Sequence, residues 1–221
     1  TVIISAAGQC SDFTRVIEPV GKLNQGSVYY INLSQEDLAL GGSSFAQTLN
    51  AIGQKTSGIA NAKDFAETFD FIQEGIKSDK ICAGHDISSG GLITCLLEMC
   101  FSTQNLGAEI DLSELGEADF VKLLFAENSG ILVQLTADSE HWIKDCPIPA
   151  IKIGQFRSSE TLAIKNNSVE MGIPVARFRD LWYTTSYRMD ELQTANGLAK
   201  DRFDNYKNQP LRYTFPIDFD G

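Results

Sequence analysis

The segment Ile81–Ser102, ICAGHDISSGGLITCLLEMCFS, constrains the fold more than any other part of the chain. A short apolar run suited to a strand, Ile81–Ala83, leads through a glycine-serine turn into a helix, from about Gly91, that is apolar nearly all round. Such a helix is stable only when buried between other layers, so this stretch belongs inside a layered structure of sheet and helices. The turn also carries a chemical possibility. Backbone N–H groups at a helix start, aligned with the macrodipole, favour an anion. Asp86 stands where a carboxylate can hold a divalent cation that bridges phosphates. A plainer reading fits the same residues: Ser88 or Ser89 as N-cap, Gly90 and Gly91 relieving a tight bend, Asp86 steadying it. His85 reads as a hydrogen-bonding group, because His141 lies in a separate segment and no His/Cys cluster has metal-ligand spacing.

The remaining pattern supports a sheet flanked by helices. The opening TVIISAAG and Ser27–Ser34 read as strands, with a helix or helical turn expected in SDFTRVIEPVGKLN between them. Leu40–Ser44 forms a second glycine-serine turn running into a helix with Phe45, Leu49 and Ile52 on one apolar face. With no charged residue inside it, this turn reads as plain structure. Phe65, Phe69, Ile72 and Ile76 recur at helical spacing and predict a helix over Ala62–Lys77 with that stripe against a core. Strands are expected at Gly107–Leu115 and Ile131–Leu135, with a short helix in DFVKLLF between them. Two more, AIKIGQF and TLAIKN, are expected to pair across the RSSE turn. Glu127 and Asn128 read as ordinary turn chemistry. A helix over Val175–Gln193, with Phe178, Leu181, Trp182, Tyr187, Met189 and Leu192 as candidate contacts, precedes a polar, aromatic tail of little periodicity.

Composition narrows the classes of function. At 43% hydrophobic and 21% charged the chain is that of an ordinary globular protein, and it holds no apolar run of about twenty residues. With 18 Lys+Arg against 29 Asp+Glu the net charge is −11, which disfavours nucleic acid and anionic membranes as partners. A phosphorylated ligand then needs metal or local positive groups. The five cysteines (Cys10, Cys82, Cys95, Cys100, Cys146) form no CxxC pair and lie among apolar neighbours, so buried thiols in a reducing compartment, the cytoplasm, are expected. The chain has no initiator Met and no signal-peptide pattern, and reads as a piece of something longer.

Several ordered motifs, GHDISSGGL with its LLEM helix, LGGSSFAQ, and LLFAENSGILVQL, together resemble the C-terminal half of an aminoimidazole-ribonucleotide-synthetase-like unit. Within that superfamily the chain is most similar to the formylglycinamide ribonucleotide amidotransferases (phosphoribosylformylglycinamidine synthases) of purine biosynthesis. The tail RDLWYTTSYRMDELQ followed by KNQPLRYTFP resembles the connector into the glutaminase domain of their long, single-chain form.

The resemblance implies an α/β (α+β) fold with a mixed sheet flanked by helices over residues 1–174, and a helical connector over residues 175–221. It implies membership of an ATP-dependent carbon–nitrogen ligase that converts formylglycinamide ribonucleotide, glutamine and ATP to formylglycinamidine ribonucleotide, glutamate, ADP and phosphate. It places a Mg²⁺ ligand on Asp86 and a contact to ATP or ADP on Ser88, with the site completed by a preceding synthetase domain. No catalytic residue is carried over, because the family's catalytic histidine and glutaminase nucleophile lie outside the segment, and the isolated piece is expected to be inactive. Many relatives read HDRSDGG, so Ile87 and Ser89 replace a basic residue and a second carboxylate. Two alternatives remain: a non-catalytic scaffold with a merely capped turn, or another ATP-using enzyme of the superfamily (selenophosphate-synthetase-like or thiamine-phosphate-kinase-like), which should lack the KNQPLRYTFP connector.

Overall fold

The computed structural model describes residues 5, 7–9, 12 and 14–208. Most of the expected opening strand, Cys10 and most of KNQPLRYTFP lie outside the described residues, and the described Ser5, Ala7 and Gly8 are not in a strand. Among the described residues seven strands form one sheet: β1 (Val28–Ile31), β2 (Ile81–Ile87), β3 (Leu106–Asp111), β4 (Gly130–Leu135), β5 (Ala150–Ser158), β6 (Thr161–Asn166) and β7 (Val169–Pro174). Their order is β2-β4-β1-β5-β3-β6-β7. All pairs are antiparallel except β3 with β6, so the sheet is mixed, as expected.

Burial differs between the two halves of the sheet. On β4, Leu132, Val133, Gln134 and Leu135 are all buried, which requires cover on both faces. One face is covered by α2 (Ala62–Lys77), whose Ile72 clusters with Tyr29, Ile31, Ile81, Val133 and Leu135. The other is covered by α3 (Gly91–Phe101), in which eight residues are buried, as its all-round apolar sequence requires. The Gln134 amide points to this second face, where it bonds both backbone groups of Lys22, while the adjacent Gly21 N–H donates to Met99 of α3. On β3 and β6, by contrast, buried and exposed residues alternate, with Ala108, Ile110, Leu162 and Ile164 inward and Glu109, Asp111 and Lys165 in solvent.

Several expectations are corrected. The AIKIGQF and TLAIKN strands do not pair with each other: β3 lies between β5 and β6, and β6 pairs instead with β7, a strand the sequence pattern had not suggested. Among the described residues of 11–24 no helix forms; Glu18 makes a lone parallel bridge to Ala83, beside Pro19, whose ring removes a donor. The helix after the first glycine turn, α1 (Ser44–Thr48), is only five residues long, and Leu49 and Ile52 are exposed rather than on a buried face. α2 has the expected bounds, but its stripe is rotated. Thr68, Ile72 and Gly75 are the buried positions, which puts Phe69 about 90° from their centre at 3.6 residues per turn, and it is 51% exposed.

Contacts divide the chain into two units, residues 1–175 and 176–221. In the second, α5 (Val175–Gln193) packs against α6 (Leu198–Asn205), a helix not expected from the tail's weak periodicity. Tyr187 stacks on Phe203 and Arg202 forms a two-pronged ion pair with Asp190. Of the candidate contacts on α5, Leu181, Trp182, Met189 and Leu192 are exposed. No helix among the described residues is long and apolar enough to cross a membrane.

Candidate nucleotide-site turn

β2 runs four residues further than the Ile81–Ala83 run suggested, so Asp86 is a strand residue paired with Ile131 and not part of the turn. Strand alternation turns Ile87 inward and leaves Asp86 outward with its side chain 75% exposed. The turn itself is Ser88–Ser89–Gly90–Gly91, closed by the Gly91 N–H donating to Ser88 O at 3.0 Å. Gly90 has φ 91° and ψ −4°, the geometry of the third residue of a type II turn, which needs glycine there. Gly91 is also left-handed at φ 72°, and a Cβ on it would meet Leu124 O at 2.7 Å. Ser88 and Ser89 are exposed, and neither caps α3: its N-cap is Gly90, which makes no side-chain cap hydrogen bond.

The expectation that the first N–H groups of this turn stand open to an anion is corrected. The Gly90 N–H donates to Glu127 Oε1 at 2.7 Å. The same oxygen accepts the Ser44 N–H at 2.8 Å. One half-buried carboxylate therefore joins the two glycine-serine turns that the sequence showed separately. It comes from the segment between α4 (Phe120–Phe125) and β4, and the stacking of Phe45 on Phe125 at 4.6 Å closes the same contact from the apolar side. Asn128, 1% exposed, ties in a third loop: its Oδ1 accepts from Ala39 N while its Nδ2 donates to Ser34 Oγ and Asp37 O. Glu127 and Asn128 thus hold neighbouring turns in place, a role beyond the local turn chemistry expected of them. Their spacing along the chain carried no sign of it, since the partners are 83 and 37 residues away for Glu127.

Around Asp86 the field is negative. His85 is held from both sides, Nδ1 at 2.8 Å from Asp86 O and Nε2 at 2.9 Å from Glu98 Oε2, which bears out its reading as a satisfied group. Glu98, on α3, is a site residue the sequence reading did not single out. Burial first, then the nearby Asp86 and Glu98 carboxylates, push the Cys95 thiol well above its usual range. Among the described residues no group of three or more His, Cys, Asp or Glu side chains can hold a metal. The donor set present is one exposed carboxylate beside exposed hydroxyls. That fits Mg²⁺ as a partial shell, because the ion keeps waters and phosphate oxygens and takes only one or two protein carboxylates.

Residues 26–165 match the family model of the AIR synthase related protein, C-terminal domain, and the chain belongs to this family. It is similar to phosphoribosylformylglycinamidine synthase of Homo sapiens, with 30% identity over 203 residues, 87% of this chain and 15% of that protein. It is also similar to the probable phosphoribosylformylglycinamidine synthase of Caenorhabditis elegans, with 30% identity over 214 residues, 88% of this chain and 16% of that protein. The chain thus spans about a sixth of the length of these relatives. Among solved structures, Thermotoga maritima PurL complexed with FGAR superposes with a TM-score of 0.59 at 13% identity, over 76% of this chain and 30% of that one. PurL complexed with ATP gives 0.55 at 12% identity, over 74% and 27%. At such identities the likeness is one of fold, and it agrees with the mixed sheet and helices described above.

Proposed function

We propose that this chain is part of an ATP-dependent amidotransferase of purine biosynthesis, in which Asp86 and Ser88 supply part of a Mg²⁺–ATP/ADP site. The observation that carries the reading is the exposed pair itself. Asp86 presents its carboxylate at the end of an edge strand, and two residues on the exposed Ser88 opens the glycine turn. The likeness to phosphoribosylformylglycinamidine synthases supports the assignment.

In the reaction so proposed, the formamide oxygen of formylglycinamide ribonucleotide takes the γ-phosphoryl group of ATP. Ammonia derived from glutamine then displaces that phosphate, leaving formylglycinamidine ribonucleotide, ADP and phosphate. Bound Mg²⁺ neutralises phosphate charge and orients the nucleotide. Asp86 would offer one oxygen to the ion and Ser88 a hydroxyl to the nucleotide, while the carboxylates of Asp86 and Glu98 make the local field favour a cation. No group of this chain is assigned a proton transfer, so catalysis falls to the rest of the parent enzyme and the isolated piece is inactive. Residues 1–174 act as the synthetase-type C-terminal domain beside a preceding synthetase domain, and residues 175–221 as a connector toward a glutaminase domain, in the cytoplasm.

A scaffold role is the competing reading, and one observation favours it: the Gly90 N–H is already taken by Glu127. The thermal shift of the full-length parent protein with Mg·ADP, wild type against Asp86→Asn, separates the two. A ligand that binds only the native state stabilises it by RT ln(1 + [L]/Kd). A smaller shift in Asp86→Asn supports the nucleotide site, whereas an equal shift makes the turn a capped structural element.

A further inference from the structure

The sequence set the two glycine-serine turns apart and read Glu127 as local turn chemistry, yet its carboxylate oxygen is where they meet. In a four-residue turn the central peptide has two orientations, related by a flip that exchanges the positions of its N–H and carbonyl. In Ser88–Gly91 that peptide is Ser89–Gly90, and its N–H is the group that donates to Glu127 Oε1 at 2.7 Å. The carboxylate therefore selects the type II orientation, with Gly90 at φ 91°. Flipping the peptide would aim the Ser89 carbonyl at a carboxylate oxygen. The second bond, from Ser44 N at 2.8 Å, anchors the carboxylate to the start of α1, an element separate from the turn.

We propose that Glu127 is a positioning residue of the nucleotide turn: by holding the Ser89–Gly90 peptide in one orientation it keeps the Ser88 hydroxyl and the end of β2, with Asp86, aimed at the nucleotide and its metal. It touches neither. This rests on the nucleotide reading given above and adds the residue that organises the site. Reach decides the effect, and charge does not. Glutamine at position 127 keeps an oxygen at the same distance and can accept both N–H groups. Aspartate keeps the charge but is one methylene short of spanning both turns.

The test is the Kd for Mg·ADP of the full-length parent protein, measured well below its melting temperature, for wild type, Glu127→Gln, Glu127→Asp and Asp86→Asn. The expected result is that Glu127→Gln binds within about threefold of wild type while Glu127→Asp weakens by about tenfold, the size of one lost hydrogen bond. A brace that serves stability alone would lower the melting temperature in Glu127→Asp and leave Kd unchanged, which overturns the proposal. Equal weakening in the Gln and Asp variants also overturns it, since charge and not reach would then be responsible. Should Glu127→Asp fail to fold, Glu127→Ala is measured in its place: binding weakened about tenfold beside near-wild-type Glu127→Gln supports the brace, and wild-type binding by Glu127→Ala overturns it. Asp86→Asn separates the two levels. If it binds as wild type, the nucleotide reading fails and this proposal with it; if it weakens while Glu127→Asp does not, only the brace fails.

Discussion

Asn128→Ala is the substitution whose cost the structure allows to be worked out most directly. The Asn128 side chain is 1% exposed and makes three hydrogen bonds, accepting from Ala39 N at 3.0 Å and donating to Ser34 Oγ at 3.1 Å and Asp37 O at 3.2 Å. Alanine leaves the Ala39 N–H without an acceptor in a residue that is itself 6% exposed. An orphaned buried donor costs about 1–3 kcal/mol, and the lost bond to the buried Ser34 hydroxyl about 1 kcal/mol more. The Asp37 carbonyl belongs to an exposed residue, regains water, and adds little. The sum is about 2–4 kcal/mol, or a fall in melting temperature of roughly 5–15 °C for a chain of this size. Urea unfolding and thermal scanning measure it. A Ser34→Ala/Asn128→Ala cycle should show coupling of about 1 kcal/mol between the two residues. A cost below about 1 kcal/mol, or strict additivity with Ser34→Ala, would refute the view that Asn128 holds the Ser34–Ala39 loop through these bonds.

Two further predictions concern stability. Gly91→Ala should cost about 3 kcal/mol, because positive φ strain is joined by a Cβ held against the Leu124 and Phe125 backbone; Gly116→Ala, at φ 74° with open space around it, should cost only about 1 kcal/mol in the same denaturation assay. Hydrogen bonds from Ser27, opposed by burial and aided by Tyr29, hold the Glu140 carboxyl below its usual range. A depressed carboxyl contributes stability that is present above its unfolded value of about 4.3 and is lost as pH falls through the lower folded value. Stability measured from pH 6 down to pH 3 should therefore decline less steeply in Glu140→Gln than in wild type, and identical slopes would remove Glu140 from the account.

How much was legible in the sequence depends on the range of the interaction concerned. α2 and α5 have the bounds their sequences imply, because helix limits follow from local spacing and caps such as the Asn61 oxygen that accepts from Lys63 and Asp64. The burial of α3 was equally plain, since a helix without a polar face has nowhere else to go. The need for glycine at positions 90 and 91 was visible too, although the reason at Gly91, the backbone of α4 lying 2.7 Å from where a Cβ would stand, was not. Neighbouring strands in sequence suggested a β5–β6 hairpin, but pairing depends on which edges find partners, and β3 entered between them to place Ala108 and Ile110 in the core beside Leu162 and Ile164.

At the site the same division holds. Residue types marked Asp86 as a possible cation ligand and left Ser88 and Ser89 alike as hydroxyls or caps; the nucleotide contact on Ser88 was implied by the family resemblance. Whether the turn's own N–H groups were open to a ligand was a tertiary matter. Glu127 reaches the Gly90 N–H across 37 residues and the Ser44 N–H across 83. A hydrogen bond between groups so far apart in sequence leaves no periodicity behind it. Local chemistry determined what the turn is made of; the folding of distant segments onto one carboxylate decided which way its peptide faces.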